Sequence, residues 1–172
     1  MVKKIGMSFH DTPELLEEIL AAHHSDLEFV QLQINYIDWE NPGIQSRRCY
    51  QIARKYDLPV IVMEPCKGGS LAIVPDKAAA LMRSYNPTAS IPSWAIRYAA
   101  SLEGVLMVLS GMSTLEQVLD NAAYMTDFTP LNAEEHEIIR QAVDIINADT
   151  AVACTNCRYC VEHCPSDIPM PD

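Results

Sequence analysis

Four of the six cysteines fall between positions 154 and 164: Cys154, Cys157, Cys160 and Cys164. Their spacing is C-x2-C-x2-C-x3-C, and Pro165 follows directly. Thiolates two residues apart in a tight turn reach adjacent corners of one compact inorganic core, so this pattern suits an iron–sulfur cluster. The fourth cysteine, set off by three residues and followed by proline, points elsewhere, and in two-cluster proteins it serves the second cluster. Two other chemistries compete. A cytosolic chain keeps its thiols reduced, which argues against disulfides. Structural zinc more often uses two separated C-x2-C hooks. The run is therefore expected to support 4Fe-4S chemistry with Cys154, Cys157, Cys160 and Cys164 as ligands, either all on one cluster or with Cys164 serving a second. Of the other two, Cys49 lies in a helical pattern and reads as packing, whereas Cys66 follows an apolar strand and faces a loop.

The elements that must position this chemistry alternate. Strands are expected at Lys3–Ser8, Phe29–Asn35, Val60–Met63 and Gly104–Leu109. Within the second, Val30, Leu32 and Ile34 share one side and Gln31, Gln33 and Asn35 the other. The third is apolar on both faces, as a buried parallel strand should be. Helices are expected from about 12 to 22, from Ile44 to Tyr56, from Asp76 to Met82, from Ser90 to Ala100 and from Leu115 to Tyr124. Asp11 reads as the cap of the first, with Glu14 completing a box. A last helix opens at Asn132, with Glu135 three residues on. Four strand–helix alternations mean parallel βα units, either a small α/β sheet or half of an eight-strand barrel. In a barrel, chemistry sits in the loops after the strands: Ser8–His10, Asn35–Asp38, Glu64–Ser70 and Ser110–Thr114. His10 is the one histidine of five expected at a ligand face.

The chain of 172 residues carries a formal charge of −11, which disfavours nucleic acid and anionic membrane as partners. No apolar run is long enough to span a bilayer or serve as a signal peptide, so the expected location is cytoplasmic. Residues 1–128 read as a half TIM barrel and 129–172 as a helix followed by the cysteine segment.

Ile5-Gly-Met-Ser-Phe-His10, Phe29-Val-Gln-Leu-Gln-Ile-Asn-Tyr36, Val62-Met-Glu-Pro-Cys-Lys-Gly-Gly69, Leu109-Ser-Gly-Met-Ser113 and the Cys154–Pro165 run occur in an order and spacing that resembles the aldo/keto reductases carrying an appended ferredoxin-type, two-cluster 4Fe-4S domain. The resemblance implies the last four βα units of a (β/α)8 barrel, followed by a small helical ferredoxin-like iron–sulfur segment. It also implies a bound nicotinamide cofactor, NAD or NADP. By it, Ser8 and Gln31 face the nicotinamide carboxamide. Phe9 stands where the family usually has a second amide-binding asparagine. Met63 falls where many members stack a tyrosine on the nicotinamide ring. Lys67, Gly68 and Gly69 would wrap the pyrophosphate. Gly111, Met112 and Ser113 would cover the adenosine phosphate, and Asp120 and Asn121 would read adenine. Gly111 and Gln117 replace the lysine and arginine of members preferring NADP, which favours NAD.

The family's Asp–Tyr–Lys–His catalytic tetrad comes from the first half of the barrel, and its second cysteine run lies beyond the first. Neither is matched in these 172 residues. Tyr36, Tyr50, Tyr98 and Tyr124 are not expected to replace the catalytic tyrosine. The implied partners are an N-terminal half-barrel or a second copy of the chain, together with an electron donor or acceptor. The reading is an oxidoreductase moving hydride between a nicotinamide cofactor and a carbonyl or alcohol, with these residues lacking the tetrad. The alternative is a non-enzymatic 4Fe-4S electron-transfer or scaffold protein.

Overall fold

The computed structural model describes residues 3–149 together with 165 and 166. The metal-ligating expectation for Cys154, Cys157, Cys160 and Cys164 falls outside the described residues. Four strands, β1 (Gly6–Ser8), β2 (Phe29–Gln33), β3 (Val60–Met63) and β4 (Val105–Val108), form one sheet in the order β1-β2-β3-β4, and every pairing is parallel. Sequential parallel order with a helical crossover between neighbours is the arrangement of consecutive barrel units. The crossovers carry α1 (Pro13–His23), α2 (Ser46–Lys55), α3 (Asp76–Tyr85) and α4 (Ile91–Ala100); α5 (Leu115–Thr126) and α6 (Ala133–Asp149) follow β4. Among the described residues no helix is long and apolar enough to cross a membrane.

Alternation along the strands separates two faces. Val30, Leu32, Val60 and Val62 are buried in one core with Leu16 and Leu20 of α1 and Ala53 of α2. Burying each such leucine contributes about 1.5–3 kcal/mol relative to exposure. The intervening Gln31, Gln33, Ile61 and Met63 remain half-buried on the opposite, inner face. A second core lies among helices. Trp94 and Ala95 of α4, Met82 of α3, and Ile139 and Ala142 of α6 pack with Tyr36 and Leu71 from the loops. Thus α6, although it lies past residue 128, shares its core with α3 and α4.

Several boundaries differ from the sequence expectation for local reasons. Thr12, not Asp11, caps α1: its hydroxyl accepts the Leu15 N–H at 3.4 Å, while Asp11 takes the Thr12 N–H at 2.7 Å. Helix α2 starts at Ser46 rather than Ile44, because the Asn41 side chain accepts the N–H groups of Gly43 and Ile44 and holds them in a turn. Strand β2 stops at Gln33, whose carbonyl receives the buried Ser46 hydroxyl at 2.7 Å. Helix α3 runs one turn further, to Tyr85. The cap at Asn132/Glu135 forms as expected, and the Ser90 hydroxyl caps α4. At Thr114 and Gln117 a full capping box closes the start of α5.

Candidate functional site

On the inner face the parallel register brings three separate segments together. Ser8 lies beside Gln31, and Gln33 beside Met63. The Gln31 amide donates to the Ser8 hydroxyl at 3.2 Å and approaches the Met63 sulfur at 3.4 Å, and the Ser8 hydroxyl lies 3.8 Å from the same sulfur. His10 joins from the loop, with Nε2 3.3 Å from the Ser8 hydroxyl. A hydroxyl and a primary amide side by side offer donor and acceptor to a planar amide, and the thioether offers a soft, polarisable surface to a ring.

Met63 also opens onto a cavity of about 560 Å³. Its walls come from the loop after β3 (Glu64, Cys66, Gly68, Gly69), the loop after β4 (Ser110, Gly111, Met112), Pro92 and Ile96 of α4, and Gln117, Asp120 and Asn121 of α5. Among the described residues Glu64 and Asp120 are the carboxylates of this lining, and no lysine, arginine or histidine joins them. Burial, and then the Glu64 charge, push the Cys66 thiol above its ordinary pKa, so it is a poor thiolate.

The β3 loop is held from below by a buried carboxylate. Asp38, fully buried, accepts the Gln33 amide at 2.8 Å, the Asn35 amide at 2.7 Å and the Lys67 ammonium at 2.6 Å. The Asn35 amide also donates to the Glu64 carbonyl at 3.1 Å. A buried charge with these partners is satisfied on both oxygens. Lys67, expected at the pyrophosphate, is thus engaged with Asp38. The Gly68 N–H goes to the Glu64 carboxylate at 2.6 Å and the Gly69 N–H to the Cys66 carbonyl at 2.9 Å.

In the β4 loop the Gln117 side-chain oxygen accepts the Ser113 N–H at 2.6 Å and the Thr114 N–H at 3.2 Å. Asp120 accepts the Ser90 hydroxyl at 2.6 Å, and the Asn121 amide donates to the Ser110 hydroxyl at 2.9 Å. The Tyr124 hydroxyl donates to Asn121. The cavity therefore gathers Met63, Gly68, Gly69, Gly111, Met112, Gln117, Asp120 and Asn121. Ser8 and Gln31 connect to it through Met63, while Lys67 and Ser113 are engaged at its margin.

Sequence reasoning passed over three contributors: Asp38 as anchor, Glu64 as acceptor of a loop N–H, and the Pro92–Ile96 wall. Asn35-x-x-Asp38 directly after a strand is the readable signal for the first, since Asn and Asp build turns on their own side chains. Tyr36 is buried, its hydroxyl has no hydrogen-bond partner among the described residues, and burial, with Cys66 nearby, raises its pKa well beyond the ordinary value. It does not line the cavity. Among the described residues no group of three or more His, Cys, Asp or Glu is placed to hold a metal ion.

The sequence model of the Aldo/keto reductase family matches residues 1–144. No curated protein matches the chain. Among solved structures, the holo form of an aldo-keto reductase from Bacillus halodurans superposes with a TM-score of 0.60 at 23% identity, over 80% of this chain and 49% of that one. A thermostable aldo-keto reductase in complex with the inhibitor epalrestat gives 0.60 at 17% identity, over 81% and 48%. An aldo-keto reductase from Klebsiella pneumoniae in complex with NADPH gives 0.58 at 17% identity, over 79% and 46%. At these identities the likeness is one of fold. The chain spans about half the length of these structures.

Proposed function

The chain belongs to the aldo/keto reductase family, and from that premise we propose that its four βα units form the nicotinamide-binding face of an oxidoreductase that moves hydride between the cofactor and a carbonyl or alcohol. The observation that carries this reading is the contact of Ser8, Gln31 and Met63 on the inner face, beside the cavity that Met63 shares. The residues suit the cofactor in chemistry and size. Ser8 and Gln31 can exchange hydrogen bonds with a carboxamide, Met63 can pack on its ring, and a cavity of about 560 Å³ can take an adenosine. When bound, the cofactor supplies or accepts hydride. The chain's own residues orient the carboxamide and exclude water from one side of the ring. With no basic side chain among the described residues of the lining, NAD is favoured over NADP.

Isothermal titration with NAD and NADP tests this. NAD should bind, and Gln31→Ala should weaken it about tenfold, the loss expected for a well-placed hydrogen bond to ligand. Absence of NAD binding, or no response to Gln31→Ala, overturns the reading.

The proton donor then belongs to a complementary half-barrel, in a longer chain or a second copy. Exposed apolar groups support this: Leu106 and Met107 on the edge strand β4, and Leu115, Val118 and Leu119 along one stripe of α5. The second part of the proposal is a 4Fe-4S cluster on Cys154, Cys157, Cys160 and Cys164, exchanging single electrons with a donor or acceptor. Its support is the four-thiol spacing itself. Anaerobic reconstitution should give about four irons and four acid-labile sulfides per chain. Zinc bound in preference to iron would sink it.

A further inference from the structure

We propose that Glu64 is a built-in anion seated at the pyrophosphate position of the cavity, and that an incoming dinucleotide must displace it. The proposal rests on reading the cavity as a dinucleotide site. Its own ground is the geometry of the β3 loop. Lys67, Gly68 and Gly69 have φ of 47°, 60° and 94°, and Glu64 itself has φ of 56°. Left-handed backbone is unusual for glutamate and lysine. Such turns aim N–H groups toward anions. Here the anion that receives the Gly68 N–H is the Glu64 carboxylate, at 2.6 Å.

Space and charge both bear on the exchange. A Cβ added at Gly69 or Gly111 would meet nothing within 4 Å, so there is open space beside the loop. The cationic group closest in sequence, Lys67, is neutralised by the buried Asp38. Among the described residues no lysine, arginine or histidine lines the cavity, whereas Glu64 and Asp120 do. A pyrophosphate brings two negative charges to a wall that already holds a carboxylate. Glu64, Gly68 and Gly69 are exposed, and like charges at contact distance repel even in water. The Glu64 side chain therefore leaves the Gly68 N–H as phosphate arrives, and affinity is reduced by the cost of that exchange. An uncharged adenosine meets no such competitor. Glu64 thus sets how strongly the cavity discriminates between the nucleoside end of a ligand and its phosphates.

The test uses the full chain and three variants of one position: wild type, Glu64→Gln, which removes only the charge, and Glu64→Ala, which removes the acceptor as well. Each is titrated calorimetrically with NAD and with adenosine, after circular dichroism has shown equal thermal midpoints. The expected result is NAD binding about tenfold tighter in both substituted chains, with adenosine affinity unchanged. Unchanged NAD affinity with adenosine still bound overturns the role of Glu64 and leaves the cofactor reading standing. Parallel weakening of both ligands makes Glu64 a structural support and also overturns the proposal. Failure of all three proteins to bind either ligand removes the cofactor reading and this proposal together.

Discussion

Replacing Trp94 by alanine lowers the stability of the folded chain by about 3–5 kcal/mol, the range for truncating a large aromatic in a tightly packed core. Trp94 is fully buried. It sits where α3, α4 and α6 meet, edge-on to Tyr85 at a centroid distance of 6.0 Å and among Met82, Ala95, Ile139 and Ala142. Three helices meet around it, so no single neighbour can move to fill the space. The indole N–H has no hydrogen-bond partner among the described residues. Part of the favourable burial is therefore offset in the native protein by an unpaired donor. Trp94→Phe removes that donor and keeps most of the ring, so its loss should be less than half that of Trp94→Ala. Urea midpoints followed by far-ultraviolet circular dichroism give both values. Equal losses for the two variants would mean that ring volume is not what Trp94 contributes.

Glu135 should be next in effect. Its carboxylate is buried and accepts both Arg97 guanidinium nitrogens, at 2.7 and 3.2 Å, and the Asn132 N–H at 2.9 Å. One side chain thus caps α6 and ties it to α4. Glu135→Ala leaves Arg97 nearly buried without its counter-ion and should cost about 3 kcal/mol at neutral pH. Burial alone pushes the Glu135 pKa up, but the Arg97 hydrogen bonds, the Asn132 N–H and the nearby positive charge outweigh it. The carboxyl sits below its ordinary 4.5. A depressed native pKa gives stability that is fully present above the unfolded value and is lost as pH falls through the native value. The stability gap between wild type and the neutral isostere Glu135→Gln should therefore be constant above about pH 5 and shrink below 4.5. Urea titrations at several pH values measure it, and a gap that widens in acid would reverse the assignment.

What could be read from the linear sequence depended on range. The strand β3 and the helices α4 and α6 announce themselves locally: an apolar run between breakers, Pro92 in a first turn after Ser90, Asn132 three before Glu135. Local competition blurred the ends of others. Asp11 and Thr12 are both good caps, and only the folded backbone decides that the hydroxyl reaches Leu15. At the candidate site the residue types were visible, because polar and glycine-rich loops after strands stand out. Which donors are already spent was not. Lys67 finds Asp38 across two loops, and the Gly68 N–H finds a carboxylate that its own loop supplies. Such pairings follow from parallel register and turn geometry, which residue spacing does not encode.

The strand order also constrains how the molecule is made. Gly6 pairs with Phe29, Val30 with Val60, and Val60 with Val105, so each strand adds to the one before it and never across an intervening strand. The loops to be closed are therefore modest, none longer than about 45 residues, and chain entropy opposes each step separately. Such a sheet can grow in the direction of synthesis, each new unit docking on a template already in place. At every stage the newest strand is one edge of this sheet and β1 the other. β4 is the last strand of this order, and Leu106 and Met107 on it remain exposed, as do Leu115, Val118 and Leu119 of α5.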